Sequence, residues 1–179
     1  MSLLPAARTV AIPVEFLTAL RSAVQDPRSS PGLGDCVRDA GYHAGEALFD
    51  GFGVWLELRG ESTPRLLTDD RFGPLLSDFL ETAGWGRITL SPLSTTVIAL
   101  DAAVWSEAQG AGTGCLISTG LFAGFFGRLA EAPIAVLEVE CRTFGHQHCR
   151  FLLGSPKVIG HVHEAMVRGG PYEISAMNA

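Results

Sequence analysis

The sequence predicts an α+β domain, an antiparallel sheet of two hairpins packed with helices. Two observations lead there. Apolar residues recur at helical spacing through the first part of the chain, and short β-rich runs joined by tight turns take over after Trp85. No internal repeat, low-complexity tract or linker interrupts the 179 residues. The expectation is therefore one domain over 1–179, with its core at about 12–167.

Each element has its own signal. "IPVEFLTALRSAVQDP" reads as a helix, with Pro13 in its first turn, Phe16, Leu17, Leu20 and Val24 on one face, and Pro27 closing it. "RSSPGLG" is a loop. "DCVRDAGYHAGEALFDGF" is a second helix with Asp35 as its cap, and Ala40, Gly41, Ala44 and Gly45 would admit another helix at close range. "RFGPLLSDFLETAG" is a third, with Pro74 in its first turn and Gly84 at its end. Strands are expected at Arg87–Ser91 and Thr95–Leu100 around a Ser-Pro turn. "GCLISTGLFAGFFGRLAEA" is a buried helix whose Gly120, Gly124 and Gly127 offer a smooth face. "PIAVLEVECRTF" and "HCRFLLG" form a second hairpin turning at Gly145, and "PKVIGHVHEAMVRGG" is a closing helix.

Composition excludes several function classes. Hydrophobic residues make up 47% and charged residues 18%, a surplus of apolar side chains that suits a ligand cavity or a subunit interface. Acids outnumber bases 19 to 13, and Lys157 is the only lysine, so no nucleic acid partner is expected. The longest apolar stretch is broken by Arg128, Glu131 and Pro133, and no membrane partner is expected either. The N-terminus lacks the basic and apolar regions of a signal peptide, which makes a cytoplasmic, reducing setting the expectation.

The densest chemistry lies in "LEVECRTFGHQHCRFLLG". Cys141 and Cys149 flank a turn, Glu138 precedes Cys141 by three residues, and Cys115 opens the glycine-rich helix. Thiolate and carboxylate are both zinc ligands, and these four would make a closed, structural set. Spacing alone leaves the alternatives open. The three cysteines are equally readable as small buried hydrophobes, because the set lacks a tight Cys-x-x-Cys. A disulfide is the weakest reading in a reducing compartment. On an ideal strand Glu138 and Cys141 point to opposite faces, so the metal reading requires a bulge or strand end near Glu140. His146 and His148 are substitute ligands, and Cys36 reads as a core thiol.

At these residues the chain resembles the 4-vinyl-reductase domain family. "EVECRTFGHQHCRFLLG" is similar to its C-terminal signature, supported by "AGYHAG", "GWG", "SEA" and "TGLFAGFFGR". The resemblance implies a ligand-binding fold shared with nitric-oxide-signalling and vesicle-tethering proteins. It implies a structural zinc on Cys115, Glu138, Cys141 and Cys149, and a cavity lined at Thr119, Phe125 and Val136. The helix after Cys115 adds Ile117, Leu121, Phe122 and Phe126 as walls, and Trp105 is a candidate stacking platform. Taken singly, Phe122, Phe125 and Phe126 read as core, Trp85 as a packing anchor for the sheet, and His161 and His163 as surface or core-edge residues.

The function expected is a zinc-containing module that binds or senses a small hydrophobic or aromatic molecule. It has no helix-turn-helix and no phosphate loop of its own. A homodimer through the N-terminal helices, passing its signal to a downstream regulatory protein, is the expected physical route. The alternatives are a tetrapyrrole carrier in bacteriochlorophyll synthesis and an interaction scaffold. Vinyl reduction by the chain itself is not expected, since no dinucleotide fingerprint follows a strand.

Overall fold

A computed structural model describes residues 13–108 and 114–179. Among them are α1 (Val14–Gln25), α2 (Leu33–Glu57), α3 (Asp69–Thr82), β1 (Gly86–Pro92), β2 (Ile98–Trp105), α4 (Leu116–Ala130), β3 (Ala135–Glu140), β4 (Cys149–Gly154), α5 (Pro156–Val167) and α6 (Tyr172–Met177). The strands form one antiparallel sheet in the order β1-β2-β4-β3. The expected fold class is what is seen: two hairpins side by side, with helices on both faces.

Period-two alternation divides each strand between two cores. Leu100, Ala102, Cys149, Phe151 and Leu153 face a large cluster with α2, α3 and α4. Ala99 and Leu152 face a smaller one with α5 and α6. The central contact of the larger layer is α2 against α4, and glycine makes it. An added Cβ on Gly41 would lie 2.3 Å from the Ile117 carbonyl oxygen, and one on Gly45 would lie 2.0 Å from that of Leu121. In return, Gly120 and Gly124 sit under the Arg38 and Tyr42 carbonyls. The small faces read on both helices therefore meet each other, backbone on backbone.

Several boundaries differ from the sequence reading, each for a local reason. The second helix begins at Leu33 because Gly32, at φ 89°, turns the chain and its carbonyl accepts from Cys36 N–H at 3.0 Å. Asp35 lies inside the first turn and pairs with Arg38 at 2.6 Å instead of capping. That helix also runs on to Glu57, through Gly51 and Gly53. The third helix starts at Asp69, where the Thr68 carbonyl accepts from Phe72 N–H at 2.8 Å, so Pro74 is interior and gives up one helical bond. The second strand starts at Ile98, not Thr95. Ser94 Oγ accepts from Thr96 N–H at 3.3 Å and the Val97 carbonyl from Leu93 N–H at 2.9 Å, which holds Leu93–Val97 as a turn. Arg142–Phe144 is a short 3-10 turn rather than strand, and α6 is an additional helix. Cys36 is exposed, not a core thiol, because it lies on the side of α2 away from α4. His161 and His163 are exposed.

Candidate metal centre and apolar clefts

Four side chains from three elements converge at the N-terminal end of α4. Cys115 immediately precedes the helix, Glu138 lies on β3, Cys141 follows β3, and Cys149 opens β4. Their donor atoms all lie within 4.8 Å of one another, and the group could hold a metal ion. The odd spacing of Glu138 and Cys141 is resolved by the backbone. Glu138 pairs with Phe151 and Glu140 with Arg150, so Val139 is an extra residue in the ladder, and the bulge brings both side chains to one face.

The sulfurs are 3.8, 3.8 and 3.7 Å apart, far beyond the ~2.05 Å of a disulfide. All three thiols are buried. Glu138 Oε2 accepts from Cys115 N–H at 2.7 Å, while its Oε1 is buried with no hydrogen-bond partner. An orphaned buried carboxylate oxygen beside three thiols is costly unless a cation completes it.

The titration chemistry agrees. Burial, with the Cys141 charge beside it, pushes the Glu138 carboxyl up to about 8. Hydrogen bonds from Cys115 and Cys149 hold the Cys141 thiol low, and the same bond to Cys141 holds Cys115 high. At Cys149 the lowering pull of Cys115 is outweighed by Cys141 and burial, leaving it at about 12. The pocket tolerates one negative charge by itself; a divalent cation would permit all four.

A buried carboxylate that the sequence reading passed over supports this end of α4. Glu107 is fully buried, and its carboxylate accepts from Ile117 N–H at 2.9 Å and Ser118 N–H at 2.7 Å. It thereby caps the helix and sets a negative charge at the positive end of the helix dipole. Ser118 Oγ also donates to it, and Trp105 Nε1 donates to Ser118 Oγ at 2.6 Å. Arg21 of α1, 4% exposed, donates to the Glu107 backbone carbonyl. The clue was "SEA", but an acid in a polar triplet carries no pattern that distinguishes a cap from a solvated loop.

His146 and His148 are not with the thiols. His148 Nε2 lies 3.3 Å from Glu140 Oε2 and 3.5 Å from Asp101 Oδ1, while His146 Nδ1 is 4.0 Å from Glu140. Asp101 and Arg150, paired at 2.6 Å, alternate with the residues of the larger core and so mark the other face of the sheet.

The eight candidate ligand residues do not share one cavity. Trp105, Leu121, Phe122 and Phe125 are packed in the larger core. Trp105 stacks on Trp85 at 5.7 Å and leans on Phe122 at 5.4 Å. Thr119 and Val136 border a cleft of about 390 Å³ between α2, α4 and β3. Ile117 is half-buried against Gly41. Phe126 reaches a separate cleft of about 480 Å³, whose walls include Leu67, Phe72, Leu90 and Leu129.

The region from Trp105 to Ser155 holds the four converging donors, the Glu107 cap and all of α4. Residues 105–155 match the 4-vinyl-reductase domain. The family resemblance read from the sequence is thereby shown, and the metal-ligating group lies wholly inside the matching segment. The fold is also that of the phenol-responsive sensory domain of the transcription activator PoxR, at TM-score 0.58 and 20% identity over 82% of this chain and 76% of that one. A vinyl-4-reductase family protein from Methanocaldococcus jannaschii matches at TM-score 0.53 and 16% identity over 82% and 83%. A trafficking protein particle complex subunit 3 from Naegleria fowleri, covalently bound to palmitic acid, matches at 0.56 and 12% over 79% and 93%. At such identities the likeness is one of fold. No curated protein matches the chain. No described helix is long and apolar enough to cross a membrane.

Proposed function

We propose that the chain is a single-domain binding module for a small hydrophobic or aromatic molecule, with a structural zinc ion stapling one end of its ligand-binding layer. The observation that carries the reading is the sulfur triangle. A tetrahedral zinc with Zn–S of about 2.3 Å requires sulfurs about 3.8 Å apart, and the three thiols are 3.8, 3.8 and 3.7 Å apart. Glu138 Oε1 would be the fourth donor, its partner oxygen already oriented by the Cys115 backbone. With four protein ligands the ion has no open position, so it would supply folding energy rather than chemistry. That favours binding over vinyl reduction.

The sensing part of the reading draws on the family match and on the fold shared with a phenol-responsive sensory domain. The cleft of about 480 Å³ is the size of a site for a single-ring or short-chain molecule. In this reading the protein works in the cytoplasm as a homodimer and passes ligand occupancy to a regulatory partner. Elemental analysis of untagged protein should find about one zinc per chain. Calorimetry against phenols, alkylbenzenes and tetrapyrroles should find a binder among the compact ligands. Metal-free but fully folded protein would remove the staple, and a panel with no binder would remove the ligand.

A further inference from the structure

Helix α4 ends at Ala130, and the residue that stops it, Glu131, has φ 52°. It is the only non-glycine residue with positive φ among those described, in a position where glycine is the unstrained choice. A side chain kept in such a conformation invites a functional account. Its carboxylate is 73% exposed and sits 3.1 Å from the Arg65 guanidinium.

Arg65 does not depend on that partner. Its Nη2 donates to the Arg128 carbonyl at 2.6 Å and its Nε to the Leu129 carbonyl at 3.3 Å, so the last turn of α4 holds it in place. It lines the cleft of about 480 Å³, where it carries the only charge among the described lining residues, facing Leu67, Phe72, Leu90, Phe126 and Leu129. The neighbouring cleft that also touches Arg65 has Asp50, Glu57 and Glu61 on its walls and would repel an anion. A fixed cation on an apolar wall, with a solvent-exposed and replaceable counter-ion, is the complement of an amphipathic acid.

We propose that this cleft binds a monocarboxylate with a hydrophobic body, the carboxylate taking the place of Glu131 on Arg65. The inference deepens the ligand-binding reading and rests on it. Calorimetry on the full chain with decanoate and naphthoate, each beside its neutral alcohol, tests it. Each acid should bind about tenfold tighter than its alcohol, and the tighter acid identifies an aliphatic or an aromatic body. Glu131→Gln removes the competitor and should tighten the acids several-fold with no change for the alcohols. Arg65→Gln should abolish the preference for acids, and Arg65→Lys should keep part of it. Equal binding of acid and alcohol, or a preference that survives in Arg65→Gln, overturns the proposal while leaving a hydrophobic binding site intact. Absence of binding by acids and alcohols alike overturns both.

Discussion

The two ends of α4 are built on opposite principles. At its start, Glu107, Ser118, Cys115 and Glu138 form a closed polar shell in which nearly every group has a partner within 3 Å or so. At its end, Phe126 and Leu129 border an open apolar cleft, and the polar contacts are exposed. Polar groups in a buried site have few tolerated arrangements, whereas apolar side chains accept many partners. The first end fixes where the helix lies, and the second is free to adapt to what it meets. Between them the glycines of α2 and α4 keep the helix from shifting sideways.

The comparison is broken most severely by removing the staple. Cys149→Ser, or chelation of the wild type, should cost about 3 kcal/mol or more, read as a lower midpoint in thermal or urea unfolding. The two treatments should give the same unstable protein. If the serine variant were destabilised but the wild type were indifferent to chelator, Cys149 would be acting as a packed hydrophobe alone.

Next in size is the glycine seam. Gly45→Ala should destabilise by about 2–3 kcal/mol, because its Cβ would meet the Leu121 carbonyl oxygen at 2.0 Å. Gly53→Ala, on the same helix with open space around it, should stabilise by about 0.5–1 kcal/mol. Equal responses from the two would show that helix propensity, not close approach, governs α2.

At the open end the effect shrinks. Leu129→Ala widens the cleft rather than creating a sealed void, and should cost only about 1 kcal/mol, measured by the same unfolding curves. A loss as large as that of Gly45→Ala would mean that this end is as closely specified as the other.

Legibility in the sequence follows the same division. The converging cysteines and Glu138 were readable because resemblance supplied the set, and because the odd spacing itself called for the bulge that β3 has at Val139. The small faces of α2 and α4 were readable because helical period is local. What was missed depends on distant partners. Glu107 is buried only because α4's first turn and Arg21 meet it across 10 and 86 residues of chain. The candidate ligand residues divided between core and two clefts because α4 is buried on nearly every side, and a helix that is apolar all round does not say which face borders a space.

The finest test concerns the closed end and is a slope rather than a loss. Burial raises the Glu107 carboxyl above its ordinary range, against the lowering pull of Ser118, Ile117 and Arg21. A folded-state value above the unfolded one means that the folded protein holds this proton more tightly. Its contribution to stability is therefore full below the unfolded carboxylate value of about 4.3 and is lost as pH rises through the raised value. Glu107→Gln has no such proton. Lost capping bonds and an uncompensated Arg21 set the offset between the two proteins, but the change of that offset with pH belongs to Glu107 alone. From acid toward neutral pH the wild type should lose ground to the variant, and parallel stability curves would place the proton elsewhere.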